Sequence, residues 1–416
     1  MNIKNSTLLK KSRYTAILVI ACLGSAVLVY MYNLYSSEKI QNVMDTGNVL
    51  GVDAFRGDEF PVSDAEAKYD DVESISAGQE VLGIAAGGVL PYRDQKYLDQ
   101  YFSDLSDLGV TWIRFDVDWS LVQPNESDKY EWSTIDRVIS TARKYSVHVL
   151  GVITYTPEWA RKSVCKSDYR CPPENSEDFG VFAGKVAARY RGVINIWEIW
   201  NEPNLQQFWA SGPNANLYSE LLRSGYSHVH GENQRSIVIS GGLAAVSTEE
   251  DRISPEEFIK ALYVNGLQQY SDAIALHPYT FPVLPDYKAQ WNNWQKMYVV
   301  RQLMIDNGDE NKKIWITEYG APTWGPGKGH SVNQYSGFKF GSDFMREDAQ
   351  RDLIKQVIDL YKQHSAWIGP FFWHSLKDIS NNRSSPENFY GLLRYDGSKK
   401  PAYDIYKNAI AAINTQ

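Results

Sequence analysis

The sequence lacks the motifs on which zinc and serine-nucleophile chemistry usually depend. Only 3 cysteines and 7 histidines occur in 416 residues, and neither an HExxH nor a CxxC motif is present, so no metal site is predicted. No GxSxG motif occurs either, which argues against a serine hydrolase. Basic residues form no stripe after the first thirteen positions, and the net charge is −8. Because binding to a nucleic-acid backbone needs clustered Lys and Arg, no nucleic-acid partner is expected.

A long apolar run does occur near the N-terminus. Residues 1–13 carry four basic and no acidic side chains, and residues 14–33 are largely apolar, which is about the 20 residues that a membrane-spanning helix needs. Small residues lie only in the middle of this run, which favours an uncleaved anchor over a removed signal peptide, the alternative. The basic tail predicts that residues 1–13 stay in the cytoplasm. The rest of the chain is then expected on the periplasmic or extracellular side.

An acidic segment follows the apolar run. Between positions 36 and 80 there are eleven acidic and three basic residues without a sustained periodicity. This composition is typical of a tether, so residues 34–78 are interpreted as a linker and residues 79–416 as the folded domain.

From residue 79 onward, short apolar runs alternate with amphipathic stretches, and eight such pairs can be counted. Eight βα units predict an α/β fold of the TIM-barrel type, (β/α)8, with enlarged loops. A doubly wound open sheet is the alternative, but the Gly87-Gly88 pair after the first strand lacks the GxGxxG spacing.

Two of these predicted strands end in a glutamate. In INIWEIWNEPN (194–204), Pro203 interrupts the strand directly after Glu202, and in KIWITEYGAPT (313–323) a Gly/Pro turn follows Glu318. The period of two predicts that Ile314, Ile316 and Glu318 share one face of their strand. These strands count as the fourth and seventh, and catalytic residues of TIM barrels lie at the C-terminal ends of strands. Paired-carboxylate chemistry is therefore predicted.

The two motifs, WNEP and TEYG, resemble those of the clan of retaining glycoside hydrolases built on (β/α)8 barrels. With TPEWA (156–160) and HPY (277–279), the longer form EIWNEPN is most similar to family 39, and family 5 is the nearest competitor. The resemblance covers about residues 80–410. The anchor and tether also resemble the layout of membrane-anchored family 39 glycosidases associated with bacterial exopolysaccharide operons. That layout implies a polysaccharide partner and a polysaccharide synthesis or export complex.

The resemblance implies a role for each matching residue. Glu202 would be the general acid/base and Glu318 the nucleophile of a double displacement that needs no cofactor. Asn201 would bind the sugar 2-hydroxyl. Arg114 would keep the nucleophile ionised, although it could instead be a structural partner of Asp116 or Asp118.

The remaining matches concern the walls of the sugar site. Tyr279 would donate to the nucleophile, and His277 would line the site, unless it is a hydrogen-bonded core histidine. Trp373 would form the floor under the sugar. The many aromatic residues make an aromatic-lined cleft plausible, with Trp159 and Trp324 as candidate contacts. In contrast, Glu198 is interpreted as a satisfied barrel carboxylate.

The sequence leaves the substrate and one covalent bond open. A β-xylosidase or a cellulase-like endoglucanase is the enzymatic alternative, and a non-catalytic carbohydrate-binding component of an export complex is the alternative from another class. Cys165 and Cys171 lie in the loop after the third predicted strand and could form a disulfide in an oxidising compartment.

Overall fold

The computed structural model describes residues 60 and 75 and residues 79–126, 128–289 and 291–414. The domain is a closed barrel of eight parallel strands, so the TIM-barrel prediction is confirmed. The tail, the anchor at 14–33 and nearly all of the 34–78 linker lie outside the described residues. Within the described part of the chain, no helix has the length and apolar character needed to cross a membrane.

Strands and helices alternate along the chain, and we label the barrel strands and the eight longer helices. The strands are β1 Leu82–Gly87, β2 Trp112–Asp118, β3 His148–Thr154, β4 Ile196–Asn201, β5 Ile237–Ala244, β6 Ile274–His277, β7 Ile314–Tyr319 and β8 Ile368–His374. The helices are α1 Gln95–Leu108, α2 Ser133–Lys144, α3 Ser176–Arg189, α4 Ala215–Glu232, α5 Pro255–Val264, α6 Asn293–Asp306, α7 Glu347–Gln363 and α8 Pro401–Asn414. Each strand pairs with its neighbours in chain order, and β8 closes the ring against β1.

Several helices begin at a polar side chain that accepts a backbone N–H. Asp94 caps α1, Asn175 caps α3, Asn214 caps α4 and Ser254 caps α5. These residue types satisfy N–H groups that the first turn of a helix leaves unpaired. The caps therefore fix where the chain leaves each loop at the strand ends and turns back along the outside of the barrel.

The buried side chains form two layers. A small cluster fills the barrel interior and includes Ala85, Trp112, Leu150, Ile196, Ile239, Ala275, Trp315 and Phe372. A larger cluster lies between the strands and the helices. Because successive side chains of a strand point to opposite faces, membership of one cluster or the other identifies the inward positions of each strand.

This assignment corrects the predicted face of Glu318. Ile314 and Ile316 belong to the outer cluster, whereas Trp315 lies in the interior. Strict alternation would therefore point Glu318 out of the barrel. The register between β7 and β8 shifts after Ile316, and such an irregularity re-aims a side chain near a strand end. Thus Glu318 reaches the interior because the alternation is broken there.

Candidate active site

Glu202 lies at the C-terminal mouth of the barrel, directly after β4. Trp200 and Glu202 both have positive φ values, 71° and 45°, a region that is uncommon for residues other than glycine. Trp200 consequently packs outward, and its indole N–H donates to the carbonyl of Phe208 at 2.8 Å. The next two side chains, Asn201 and Glu202, both contact interior residues. Backbone strain of this kind is concentrated at functional sites.

The loop beside Glu202 is held close by β5. The Glu202 N–H donates to the carbonyl of Gly242 at 3.0 Å. A Cβ atom on Gly242 would lie 2.1 Å from His277 Nε2, so only glycine permits the histidine to pack here. This close approach positions His277 against the Glu202 carboxylate.

Arg114, inward on β2, links three side chains of the site. Its Nε and Nη2 donate to Glu198 at 2.7 and 3.0 Å, its Nη1 donates to Glu318 at 2.6 Å, and its Nη2 donates to Asn201 Oδ1 at 2.8 Å. Arg114 and Glu198 are fully buried. Glu198 also accepts from the Gly242 N–H at 2.8 Å. Glu198 is therefore a satisfied partner of Arg114, while Glu318 keeps an oxygen for other contacts.

His277 and Thr317 connect the two carboxylates of β4. His277 Nδ1 lies 2.8 Å from Glu202 Oε1, and its Nε2 lies 3.0 Å from Thr317 Oγ1. Thr317 Oγ1 in turn donates to Glu198 Oε1 at 3.3 Å. Because the threonine hydroxyl donates to Glu198, it accepts from His277, so Nε2 carries a proton. The interior thus holds a chain of hydrogen bonds that leads from Glu202 to Glu198.

The second oxygen of Glu318 is bound by Tyr279. The phenol O–H of Tyr279 donates to Glu318 Oε2 at 2.9 Å. His277 Nδ1 lies 3.9 Å from the same oxygen. Glu318 is therefore surrounded by a cation, a hydroxyl donor and an imidazole.

These neighbours set the charge of Glu318. Burial alone would raise the pKa of this carboxyl, but the charges of His277 and Arg114 outweigh burial and lower the pKa to about 2. Burial alone would likewise lower the pKa of His277, but Glu318 and the hydrogen bond to Glu202 raise it. Glu318 is consequently held as a carboxylate near neutral pH.

Glu202 and Glu318 face each other across the mouth. Within the described residues, Glu202, His277 and Glu318 form a group whose nitrogen and oxygen atoms lie within 4.8 Å of one another. Three such ligands could hold a cation. However, both His277 nitrogens already have protein partners, and the Arg114 guanidinium contacts Glu318 at 2.6 Å. The set therefore fits an acid/base and nucleophile pair of carboxylates better than it fits a resident metal ion.

The predicted floor residue Trp373 does not line the site. Its side chain is fully buried in the outer cluster, and its N–H donates to the carbonyl of Tyr390 at 3.3 Å. Phe372 lies in the interior cluster, so the inward position at the end of β8 belongs to His374 by alternation. The positive charge of His374 also contributes to the low pKa of Glu318. The structure therefore places Trp373 in the outer cluster and His374 at the inward position at the end of β8.

Trp159 and Trp324 contact residues of the surrounding loops. The Trp159 N–H donates to the carbonyl of Gln123 at 3.1 Å. The Trp324 ring stacks on Phe344, with ring centroids 5.8 Å apart, and the Arg383 guanidinium lies 4.1 Å from its centroid. Trp324 is 40% exposed, so a sugar contact at either indole stays a prediction.

The loop after β3 contains a disulfide. Cys165 and Cys171 are joined, with their Cα atoms 5.5 Å apart. The pair closes a short loop on the catalytic face.

The sequence does not mark three further residues of the site: Thr317, His374 and Asp116. Each lies one or two residues from a residue that the motifs do mark, on the same strand. They could be found by knowing which alternate positions of each strand point into the barrel. That assignment becomes clear only when the interior cluster is known.

The sequence matches no protein-family model and no curated protein, but its fold is shared by several solved structures. A family 39 glycoside hydrolase from Bacteroides cellulosilyticus has a TM-score of 0.62 and 19% identity over 81% of this chain and 64% of that one. The family 39 enzyme from Xanthomonas axonopodis pv. citri has a TM-score of 0.60 and 16% identity over 81% and 67% of the two chains. A family 5 subfamily 18 protein from Streptomyces cattleya, solved with N-acetylglucosamine, has a TM-score of 0.58 and 13% identity over 81% of each chain. This chain therefore shares the barrel fold of family 39 and family 5 glycoside hydrolases and spans just under two thirds of the first of them.

Proposed function

We propose that this chain is a retaining glycoside hydrolase that cleaves O-glycosidic bonds of an oligosaccharide or polysaccharide. The observation that carries the proposal is the close approach of Glu202 and Glu318, whose facing carboxylate oxygens lie within 4.8 Å. Retaining glycosidases hold their two carboxyl groups about 5 to 5.5 Å apart, whereas inverting enzymes need about 6.5 to 9.5 Å to admit a water molecule. The short gap supports double displacement.

In the first step, Glu318 attacks the anomeric carbon. The bond from that carbon to the leaving oxygen breaks, its electron pair passes to the oxygen, and the proton of Glu202 is transferred to that oxygen. The ion pair with Arg114 and the hydrogen bond from Tyr279 keep Glu318 ionised for this attack. A covalent glycosyl ester on Glu318 results.

In the second step, Glu202 takes a proton from a water molecule. The oxygen of that water forms a bond to the anomeric carbon, and the ester bond to Glu318 breaks to regenerate its carboxylate. The His277 imidazole, 2.8 Å from Glu202, stabilises the carboxylate form of Glu202 that is present between the two steps. His277 therefore helps to hold the deprotonated acid/base that the second step needs.

Asn201 is oriented to bind the sugar. Arginine can only donate hydrogen bonds, so the contact with Arg114 fixes Oδ1 as the acceptor of Asn201. The amide NH2 of Asn201 is then directed elsewhere and can donate to a sugar hydroxyl. Hydrogen bonds to the 2-hydroxyl strengthen in the transition states of such reactions.

One alternative to a polysaccharide substrate is a β-xyloside, because one of the similar structures is a β-xylosidase. A family 39 β-xylosidase from Caulobacter crescentus shares the fold with a TM-score of 0.58 and 17% identity. We propose a polysaccharide, with an exopolysaccharide as the first candidate, because the acidic tether and the apolar run at 14–33 would hold the domain at a membrane surface.

The Cys165–Cys171 disulfide supports an oxidising, extracytoplasmic location. Protease treatment of intact and permeabilised cells that express the full chain tests this location.

The experiment that tests the activity uses Glu202→Gln and Glu318→Gln in the full chain. Each variant should lose at least about 1000-fold in kcat on the best substrate from a panel of polysaccharides and aryl glycosides, because each step needs both groups. Glu310→Gln, a change at an exposed residue after α6, serves as the matched control. A 2-fluoro glycoside should leave a mass adduct on the peptide that contains Glu318. Undiminished cleavage by both variants would refute the proposed function.

A further inference from the structure

Asp116 is a buried acid without a partner in the wall of the site. Its side chain belongs to the inward set of β2, which also includes Trp112, Arg114 and Asp118. Only 6% of the residue is exposed. No hydrogen bond to its carboxylate is found anywhere in the described part of the chain, although buried polar groups normally have partners.

The neighbouring charges do not satisfy this carboxylate. The Arg114 donors that contact carboxylates are directed to Glu198 and Glu318. Asp118, one pleat nearer the mouth, accepts from the N–H and O–H of Ser120 at 2.8 and 2.6 Å. Asp118 is thus hydrogen-bonded at Oδ1, whereas neither oxygen of Asp116 accepts a hydrogen bond from a described residue.

The chain leaves open space next to Asp116. The inward residue of β1 is Ala85, and the strand leads into Gly87 and Gly88. A Cβ atom on Gly88 would lie 3.0 Å from Asp116 Oδ2, and one on Gly87 would meet nothing within 4 Å. Gly88 therefore leaves Asp116 Oδ2 without a side chain against it on this side.

The strand on the other side of β1 carries a second unsatisfied group. His374 at the end of β8 is aligned with Ala85 of β1. Its buried Nδ1 has no hydrogen-bond partner among the described residues. Asp116 and His374 therefore lie on the two strands that flank β1. An unpartnered carboxylate and an unpartnered imidazole nitrogen on neighbouring parts of the barrel wall are groups that can fix the orientation of a sugar.

We propose that Asp116 determines specificity by accepting hydrogen bonds from donor groups of the sugar that Glu318 attacks. The donors are hydroxyl groups or, on an amino sugar, an ammonium group. A uronic acid is excluded at this position, because a second carboxylate would meet Asp116 and Glu318 in a buried site. This inference rests on the proposed glycosidase function and adds the class of sugar to it.

An unpartnered acid should also weaken the fold. Burial raises the pKa of Asp116 to about 7, because it outweighs the charge of Arg114, which lowers the pKa, and the charge of Glu318 adds to the rise. Because this pKa is higher in the folded than in the unfolded chain, stability is lost as pH rises from about 4 through about 7. Asp116→Asn removes this loss. Replacing a residue with a purely structural role would instead lower the stability of the fold.

The test compares Asp116→Asn and Asp116→Ala with Asp118→Asn, all in the full chain. On the glycoside that the wild type cleaves best, assayed at pH 8 where the Asp116 carboxyl is ionised, both Asp116 variants should lose about 10- to 100-fold in kcat/KM, as expected for a hydrogen bond to a charged group. Asp118→Asn, which keeps an acceptor for Ser120, should lose less than about 3-fold. The melting temperature of Asp116→Asn should exceed that of the wild type at pH 8, and the difference should shrink at pH 5.

A second variant covers the carboxylate without removing it. Gly88→Ala would place a methyl group against Asp116 Oδ2 and should lower kcat/KM by a similar factor. The double variant Gly88→Ala/Asp116→Ala should be no worse than Asp116→Ala, because both changes remove the same contact. Deoxy and amino analogues of the substrate identify the donor, since the analogue that lacks it should lose activity with the wild type but not with Asp116→Ala.

The outcomes separate this inference from the proposed function. If the wild type cleaves its substrate and the Asp116 variants keep full kcat/KM, only the role of Asp116 is overturned. An equal loss in Asp118→Asn would indicate a general charge effect and would also overturn it. If the wild type neither cleaves any glycoside of the panel nor binds one in calorimetry, the proposed function fails and this inference fails with it.

Discussion

Tyr279 and Glu318 are joined by a hydrogen bond of 2.9 Å between the phenol oxygen and Oε2. Tyr279 lies just after β6 and Glu318 lies in β7, so neighbouring strands supply the two groups. The Tyr279 ring also lies nearly parallel to the ring of Tyr319, with centroids 6.2 Å apart. The aromatic packing holds the phenol in place while its hydroxyl serves the nucleophile.

Tyr279→Phe should therefore impair catalysis without unfolding the protein. The ring contacts remain, but Glu318 loses a donor that favours its ionised form, so its pKa should rise and the acid limb of the kcat/KM profile should move to higher pH. The loss in kcat/KM is expected to be about 10- to 100-fold, because hydrogen bonds to charged groups contribute about 1.5–3 kcal/mol. Tyr319→Phe is the matched control, since the Tyr319 hydroxyl pairs with Thr280 instead. Equal losses in both variants would contradict this role.

Thr317→Val should change the titration of His277. The substitution keeps the shape of a fully buried side chain but removes the acceptor for His277 Nε2. The imidazolium form loses a partner, so the pKa of His277 should fall, and the unpaired group should cost about 1–3 kcal/mol of stability. Imidazole nitrogen NMR measures the titration directly. Thr280→Val, which breaks the bond to Tyr319, should cost similar stability and leave the His277 titration in place.

Glu318→Gln should destabilise the fold in a pH-dependent manner. The pKa of Glu318 is about 2 in the folded chain against an ordinary value of 4.5, so the carboxylate contributes stability above about pH 4.5 that is lost as pH falls toward 2. The difference in melting temperature between the wild type and the variant should therefore be largest near pH 6 and shrink toward pH 3. A difference that grows on acidification would show that Glu318 is not held as an anion.

The sequence predicted the barrel and both glutamates, because repeated βα units and strand-ending motifs are local signals. Glu202 and Glu318 each stand directly before a turn-forming residue or segment, and that position is readable without tertiary structure. The directions of the two side chains, however, depend on breaks in the alternation of inward and outward positions along β4 and β7. Positive φ at Glu202 and the register shift around Glu318 cannot be read from residue types. The direction of Trp373 could not be predicted for a related reason, since neither Trp373 nor His374 reveals by its identity which of them points inward.

Asp116 illustrates a second limit of the sequence. Residue types suggest it only as a partner for Arg114, because a neighbouring Asp and Arg on one strand resemble an ion pair. The structure directs Arg114 to Glu198 and Glu318 instead. Which acid an arginine pairs with is decided by strands that lie 84 and 204 residues away in the chain.

The Cys165–Cys171 disulfide should stabilise the loop after β3. The two residues are six positions apart, and closing so short a loop restricts the unfolded chain by about 2 kcal/mol in the chain-entropy model. The double variant Cys165→Ser/Cys171→Ser should lose about this much free energy of unfolding. Cys22→Ser, a change outside the pair, is the control. Equal stability with and without a reductant would contradict the prediction.

Lys400→Met should destabilise the protein and disturb the loops at the mouth. Lys400 is 2% exposed, and its Nζ donates to Asp378 Oδ1 and Thr323 Oγ1, both at 2.7 Å. It therefore joins the loops that follow β7 and β8 beneath the site. Removing it leaves Asp378 buried and unpaired, which costs about 3–5 kcal/mol.

The control for this prediction is an ion pair of the same length at the surface. Lys144 Nζ lies 2.7 Å from Asp99 Oδ1, but its side chain is 61% exposed, so Lys144→Met should cost only about 0–1 kcal/mol. Adding Asp378→Asn to Lys400→Met should recover part of the loss, because Asn can still accept the N–H of Gly391 without a buried charge. Urea unfolding of the four variants Lys400→Met, Lys144→Met, Asp378→Asn and Lys400→Met/Asp378→Asn measures these differences. Equal costs at Lys400 and Lys144 would mean that burial does not decide the strength of the pair, since the distances are the same.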